Sequence, residues 1–119
     1  MGVKKETEQA GHLQFLPTEV LTPGMLLSKV DTTPIAPHAC KPPFCMSRFS
    51  LEPDISSPLD CHNEQELWFV ASGEGRLTCN ATQIIKITAG DVIELAPGVS
   101  HTVHNNGQKQ LVVFSVWWD

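Results

Sequence analysis

No apolar run in this 119-residue chain approaches the roughly 20 residues that a bilayer-spanning helix needs. Basic residues are few and scattered. Eight lysines and arginines against thirteen acids give a net charge of −5, and no segment combines clustered cations with aromatics, which argues against nucleic acid as a partner. The opening "MGVKKETEQAGH" has no apolar stretch of the secretory kind, and Glu6 stands where N-myristoylation needs serine or threonine. The cytoplasm is therefore the expected compartment, with neither a membrane nor a lipid anchor. Cys40, Cys45, Cys61 and Cys79 lack a C-x-x-C hook, so reduced thiols are the expectation, and "HACKPPFC" reads as a proline-stiffened loop rather than a zinc site.

Helical periodicity is also missing, as is any internal repeat. Residues 1–12 read as a polar tail and 13–119 as one domain, a length that can bury most of its unfolded surface. Between Leu13 and Pro43 six prolines leave room only for edge strand and loop, including the short extended piece "MLLSKV". After Pro43 the texture changes to a series of short runs rich in branched and aromatic residues: "CMSRFSLE", "ELWFVAS", "GRLTCN", "TQIIKIT", "DVIELA", "HTVHN" and "LVVFSVWW". Turn formers separate them, among them "SGEG", "CNAT", "TAGD" and "APGVS". Short strands at regular spacing predict an all-β sandwich or barrel, in which closure of the sheet removes exposed edges. The apolar C-terminal strand is expected to pair on both sides, and its aromatic end, Trp117 and Trp118, could mark a dimer contact.

Two stretches carry the chemistry. In "DCHNEQELWFV" strand alternation places Asp60, His62, Glu66, Trp68 and Val70 on one face, and Cys61, Leu67 and Phe69 on the other. Burying two carboxylates and an imidazole together is costly, and a divalent metal is an economical partner for them. In "GDVIELAPGVSHTVHN" Pro97 and Gly98 form a turn, after which His101, Val103 and Asn105 face the interior. His62, Glu66 and His101 then make a two-histidine, one-carboxylate set. Asp60 is either a fourth ligand or a hydrogen-bond partner of a ligating histidine. Mixed nitrogen and oxygen donors suit zinc, iron, manganese or nickel, with positions left for water, substrate or dioxygen.

At these residues the chain resembles the cupin superfamily, in particular its small single-domain, type-2 members. The first cupin motif is matched in register by Asp54, Asp60, His62, Glu66 and Gly73, over residues 54–73. The second is matched by Gly90, Ala96, Gly98, His101 and Asn105, over residues 90–105. Asp54 replaces a glycine, Ala96 a proline, and Asp60 the first metal histidine. The last change swaps a neutral nitrogen for a charged oxygen, so that the set carries two negative charges toward the metal.

The resemblance implies a double-stranded β-helix, or jelly roll, holding a divalent metal. It also implies a range of roles: dioxygenase, isomerase or cyclase, hydrazine formation from an activated amino-acid ester beside a tRNA-synthetase-like partner, or non-catalytic ligand binding. The expectation drawn from it is a metalloenzyme acting on a small polar metabolite, and cupins commonly form homodimers. For substrate contacts the candidates are Arg48 and Trp68. Arg48 grips a carboxylate if it faces inward and is a solvated charge if it faces outward. Trp68, on the metal face, either packs the barrel or lines the pocket mouth.

Overall fold

The computed structural model describes residues 10–38 and 44–119. The predicted tail at residues 1–12 lies mostly outside the described residues, as does Cys40. Nine strands form among the described residues: β1 (Glu19–Thr22), β2 (Met25–Lys29), β3 (Cys45–Leu51), β4 (Gln65–Ser72), β5 (Glu74–Cys79), β6 (Gln83–Thr88), β7 (Val92–Leu95), β8 (His101–His104) and β9 (Leu111–Trp118). One 3-10 helix, Thr33–His38, lies between β2 and β3. The strands make two facing sheets, a six-stranded one in the order β1-β2-β3-β9-β4-β7 and a three-stranded one in the order β6-β5-β8. This is the all-β sandwich that the strand spacing predicts, in the jelly-roll form that the cupin resemblance implies, and β9 is paired on both sides, with β3 and β4.

Register sorts the inward side chains into rows across the larger sheet. One row runs Met25, Leu51, Leu111 and the next Leu27, Phe49, Val113, Val70. These meet Leu77 and Val103, paired on the smaller sheet, and Ile87 to make the core, in which Leu51, Leu77, Val103, Leu111 and Val113 have no exposed surface. The third row is different in kind: Lys29, Ser47, Ser115, Trp68. Beyond it Cys45, Trp117 and Glu66 stand side by side. Apolar layers thus close one end of the sandwich and polar layers open the other.

Turn chemistry fixes the connections. Asp54, where the cupin pattern has glycine, sits at φ 67°, a conformation that aspartate tolerates better than most residues. Gly73 has φ +84°, and a Cβ there would stand 2.5 Å from the carbonyl oxygen of Gln110, so the β4–β5 link admits only glycine. The β5–β6 hairpin turns through Asn80 and Ala81, with φ of 51° and 61°, and Thr82 donates to the Cys79 carbonyl at 3.2 Å. Positive φ at both central residues is the type I′ form, whose twist suits a hairpin. Alanine is a poor occupant of the second position, lacking both the freedom of glycine and a side chain that bonds locally. Ala81→Gly is therefore expected to stabilise the protein by up to about 1 kcal/mol, read from the midpoint of urea unfolding at unchanged slope.

Candidate metal centre

Four donor atoms converge at the polar end of the sandwich. The Oε1 atom of Glu66, on β4, lies 2.9 Å from Nε2 of His62 and 3.7 Å from Nε2 of His101 at the start of β8. Oδ2 of Asp60 lies 4.0 Å from the first of these nitrogens and 3.8 Å from the second. Ligand atoms about 2.0–2.1 Å from a tetrahedral metal stand roughly 3.3 Å from each other, so the observed gaps bracket what such an ion requires. Asp60, His62 and His101 offer ligand atoms all within 4.8 Å of one another.

Local structure explains why these four groups meet. Pro97 and Gly98 occupy the centre of a tight turn, with Gly98 at φ +80° and the Val99 amide donating to the Ala96 carbonyl at 3.2 Å. The Gly98 amide also donates to the carbonyl of His62 at 2.8 Å, tying the turn to the loop that carries the first histidine. Asp60 and His101 exchange backbone hydrogen bonds of 3.0 and 2.8 Å, an isolated antiparallel bridge that sets their side chains together. Asn105, fully buried, donates to the carbonyls of Leu51 and Lys109 and accepts from the Gly107 amide, each at 2.9 Å. That last residue of the second motif is a structural brace for the β8–β9 turn.

Hydrogen bonding orients each donor atom. Nδ1 of His62 donates to the Glu64 carbonyl at 3.2 Å, and Nδ1 of His101 to the Val99 carbonyl at 3.1 Å. Both imidazoles therefore present Nε2 to the centre. Glu66 is buried, and its Oε2 accepts from the Trp68 indole N–H at 2.9 Å and from the Ser115 hydroxyl. Only Oε1 is left to face the histidines. Trp68 packs edge-on against His101, with ring centroids 5.8 Å apart, and against Phe49 at 5.1 Å.

The donor set fits a metal ion. His62 meets acceptor oxygens at both ring nitrogens, so Nε2 must hold either a proton or a metal. Burial alone pushes the His62 imidazolium down. The hydrogen bond to Glu66 and the charges of Glu66, Asp60 and Glu64 more than reverse it, holding His62 above its ordinary value of 6.5.

These donors line a cavity of about 530 Å³. Asp60, with its side chain 62 % exposed, stands on the open side, and His101, 5 % exposed, on the closed side. Trp68 lines the cavity but is 3 % exposed, and its one polar group is committed to Glu66. Arg48 is not part of it. Ser47 and Phe49 on either side point inward, so alternation turns Arg48 outward, where its guanidinium lies 4.3 Å from the centroid of the Phe15 ring. The inward-facing alternative for Arg48 is thereby corrected. Lys29 lines the cavity instead, together with Trp117, which the sequence offered only as an exposed aromatic. The period-2 pattern of "MLLSK" was the available signal, since Met25, Leu27 and Lys29 share one parity.

Two facing sheets with a His, His, Glu and Asp donor set at one end define a double-stranded β-helix barrel with a candidate metal centre. The sequence profile of the cupin domain matches residues 47–117, and the chain belongs to the cupin family. Solved structures agree on the fold. A cupin 2 conserved barrel domain protein from Salinispora arenicola is 25 % identical, with 100 % of this chain and 91 % of that one covered at a TM-score of 0.70. A protein from Photorhabdus luminescens is 23 % identical over 100 % and 89 % of the two chains, at 0.68. A predicted oxalate decarboxylase from Thermotoga maritima is 23 % identical over 89 % and 92 %, at 0.65.

Proton and metal compete for Nε2 of His62. Zinc affinity, measured against a chromogenic chelator, is expected to fall by up to about tenfold per pH unit below the raised His62 pKa, and His62→Gln should flatten that dependence. Stability of the metal-free protein runs the other way. A folded-state pKa raised above 6.5 contributes stability that is complete below the unfolded value and is lost as pH rises through the folded one. Ser115→Ala and Trp68→Phe release Oε2 of Glu66 and should each weaken zinc by about 10–100-fold while leaving the circular dichroism spectrum unchanged.

Proposed function

We propose that this protein is a metalloenzyme acting on a small molecule. The observation that carries this reading is the convergence of Asp60, His62, Glu66 and His101 on the wall of a cavity open to solvent. A divalent ion held there supplies Lewis acidity toward a carbonyl or carboxylate oxygen or activates water, and iron would add oxygen chemistry.

The chain's own contribution is preorganisation. Ser115 and Trp68 fix the Glu66 carboxylate, backbone carbonyls fix both imidazoles, and the Asp60–His101 bridge fixes the fourth group. The donor atoms stand within roughly 1 Å of the spacing an ion requires, the 2.9 Å gap between His62 and Glu66 having to widen and the 4.0 Å gap between His62 and Asp60 to narrow. Two carboxylates and two neutral imidazoles cancel the charge of a divalent ion, so the loaded centre is neutral. With Asp60 exposed on the open side, a substrate approaches the centre past a carboxylate rather than past a third imidazole.

Elemental analysis of untagged protein tests the reading. Near-stoichiometric metal is expected, with loss in His101→Ala and, if Asp60 is a ligand, a weaker or partial load in Asp60→Ala. Full retention in Asp60→Ala makes Asp60 a partner of the histidines rather than a ligand. A chain that holds no metal as purified and takes none up on reconstitution is not a metalloenzyme.

A further inference from the structure

The cavity is less polar than its metal-ligand end. Its walls are built largely from Leu27, Phe49, Leu59, Trp68 and Trp117. Lys29, exposed at the end of β2, borders the cavity across the sheet from Trp68 and is the one lysine or arginine that lines it among the described residues. No carboxylate of the described residues lies within salt-bridge distance of it. The acids around the cavity are otherwise engaged. Asp60 and Glu66 face the donor centre, and Oε1 of Glu64 lies 3.7 Å from the Nδ1–H of His62.

Lys29 and Trp68 occupy the same row, separated by β3 and β9. Three strand spacings put their backbones about 14 Å apart. The two residues between them are serines, Ser47 and Ser115, so the floor between the cation and the centre is low and open. Ser115 is bonded to Glu66. Ser47, 1 % exposed, lines the cavity, and its hydroxyl has no side-chain hydrogen bond among the described residues. Lys29 and Ser47 are paired across β2 and β3, so a cation and a hydroxyl-bearing side chain stand side by side on the cavity lining, a pairing suited to an anion from outside the chain.

We propose that the cavity takes a small amphiphilic monocarboxylate, its anion at Lys29 and Ser47 and its apolar body against Leu27, Phe49, Leu59 and Trp117. The opposite end of the molecule then faces the donor set, so this assignment deepens the metalloenzyme reading and rests on it for that end only. A single ammonium matches a monoanion. A phosphate dianion would have one ammonium to hold two charges, and a cationic ligand would find Lys29 in its way. Lys29 is in this sense a specificity-determining residue, placed where the sequence suggested Arg48.

The test uses the full chain loaded with zinc and two probes of one shape, 4-phenylbutyrate and 4-phenylbutanamide, followed by calorimetry. The acid is expected to bind about fivefold more tightly than the amide, the preference of a partly exposed lysine for a carboxylate, and to lose that advantage as salt is raised. Lys29→Arg should keep the preference and Lys29→Met should remove it at unchanged zinc content and thermal midpoint. Equal affinities in the parent chain, or no heat from either probe, overturn the proposal. A preference that survives Lys29→Met and vanishes with zinc also overturns it, since the carboxylate would then sit on the metal. Failure to load zinc counts against the metalloenzyme reading alone. In that event the same comparison on the metal-free chain, with and without Lys29→Met, still decides the anion site.

Discussion

A carboxylate inside a protein has to be neutralised and hydrogen-bonded, and much of this structure is organised around doing that for Glu66. One of its oxygens is satisfied by two donors from its own sheet, the Trp68 indole one alternation further along β4 and the Ser115 hydroxyl on the neighbouring β9. The other faces two imidazoles, one from the loop before β4 and one from the opposite sheet. His101 is therefore at once a closing residue of the smaller sheet and a donor to the centre, and its backbone pairing with Asp60 brings the fourth group along.

Much of this was legible in the sequence. Strand alternation in "ELWFVAS" and "HTVHN" gave the inward set directly, because a half-buried strand admits only one parity for its apolar residues. The C-terminal run "LVVFSVWW" coincides with β9 residue for residue. The prolines before Pro43 pointed to edge strand and loop, but "MLLSK" is β2, paired on both sides; the edge is β1, which passed unnoticed, its four residues "EVLT" being largely exposed and too short to show a period. The environment of Glu66 was not readable, since Ser115 lies 49 residues away and only β4–β9 register brings the two together.

Arg48 and Lys29 show where sequence reading stops. Both are cations on strands, and the better hydrogen-bonding group drew attention to Arg48. Alternation with Ser47 and Phe49 sends it outward to Phe15, while the β2–β3 register sets Lys29 beside Ser47, where it borders the cavity while remaining exposed. Phe49 and Leu51 mark the inner face of β3, but Ser47, a small polar residue of the same parity, does not announce its own burial. Its burial comes from its place in a row beside Ser115 and Lys29, a long-range fact that no local window contains.

The donors and the cavity's cation are carried by different parts of the chain. The centre hangs on β4, β8 and the Pro97–Gly98 turn, whose amide is tied to the carbonyl of His62, so a residue gained or lost in that turn would displace both histidines together. Lys29 lies on β2, in the segment that ends at the margin of the sheet. Evolution can rewrite that arm, changing which molecules enter, without disturbing the atoms that would act on them. Within such a barrel the reaction is inherited with the turn, and the choice of substrate drifts with the edge.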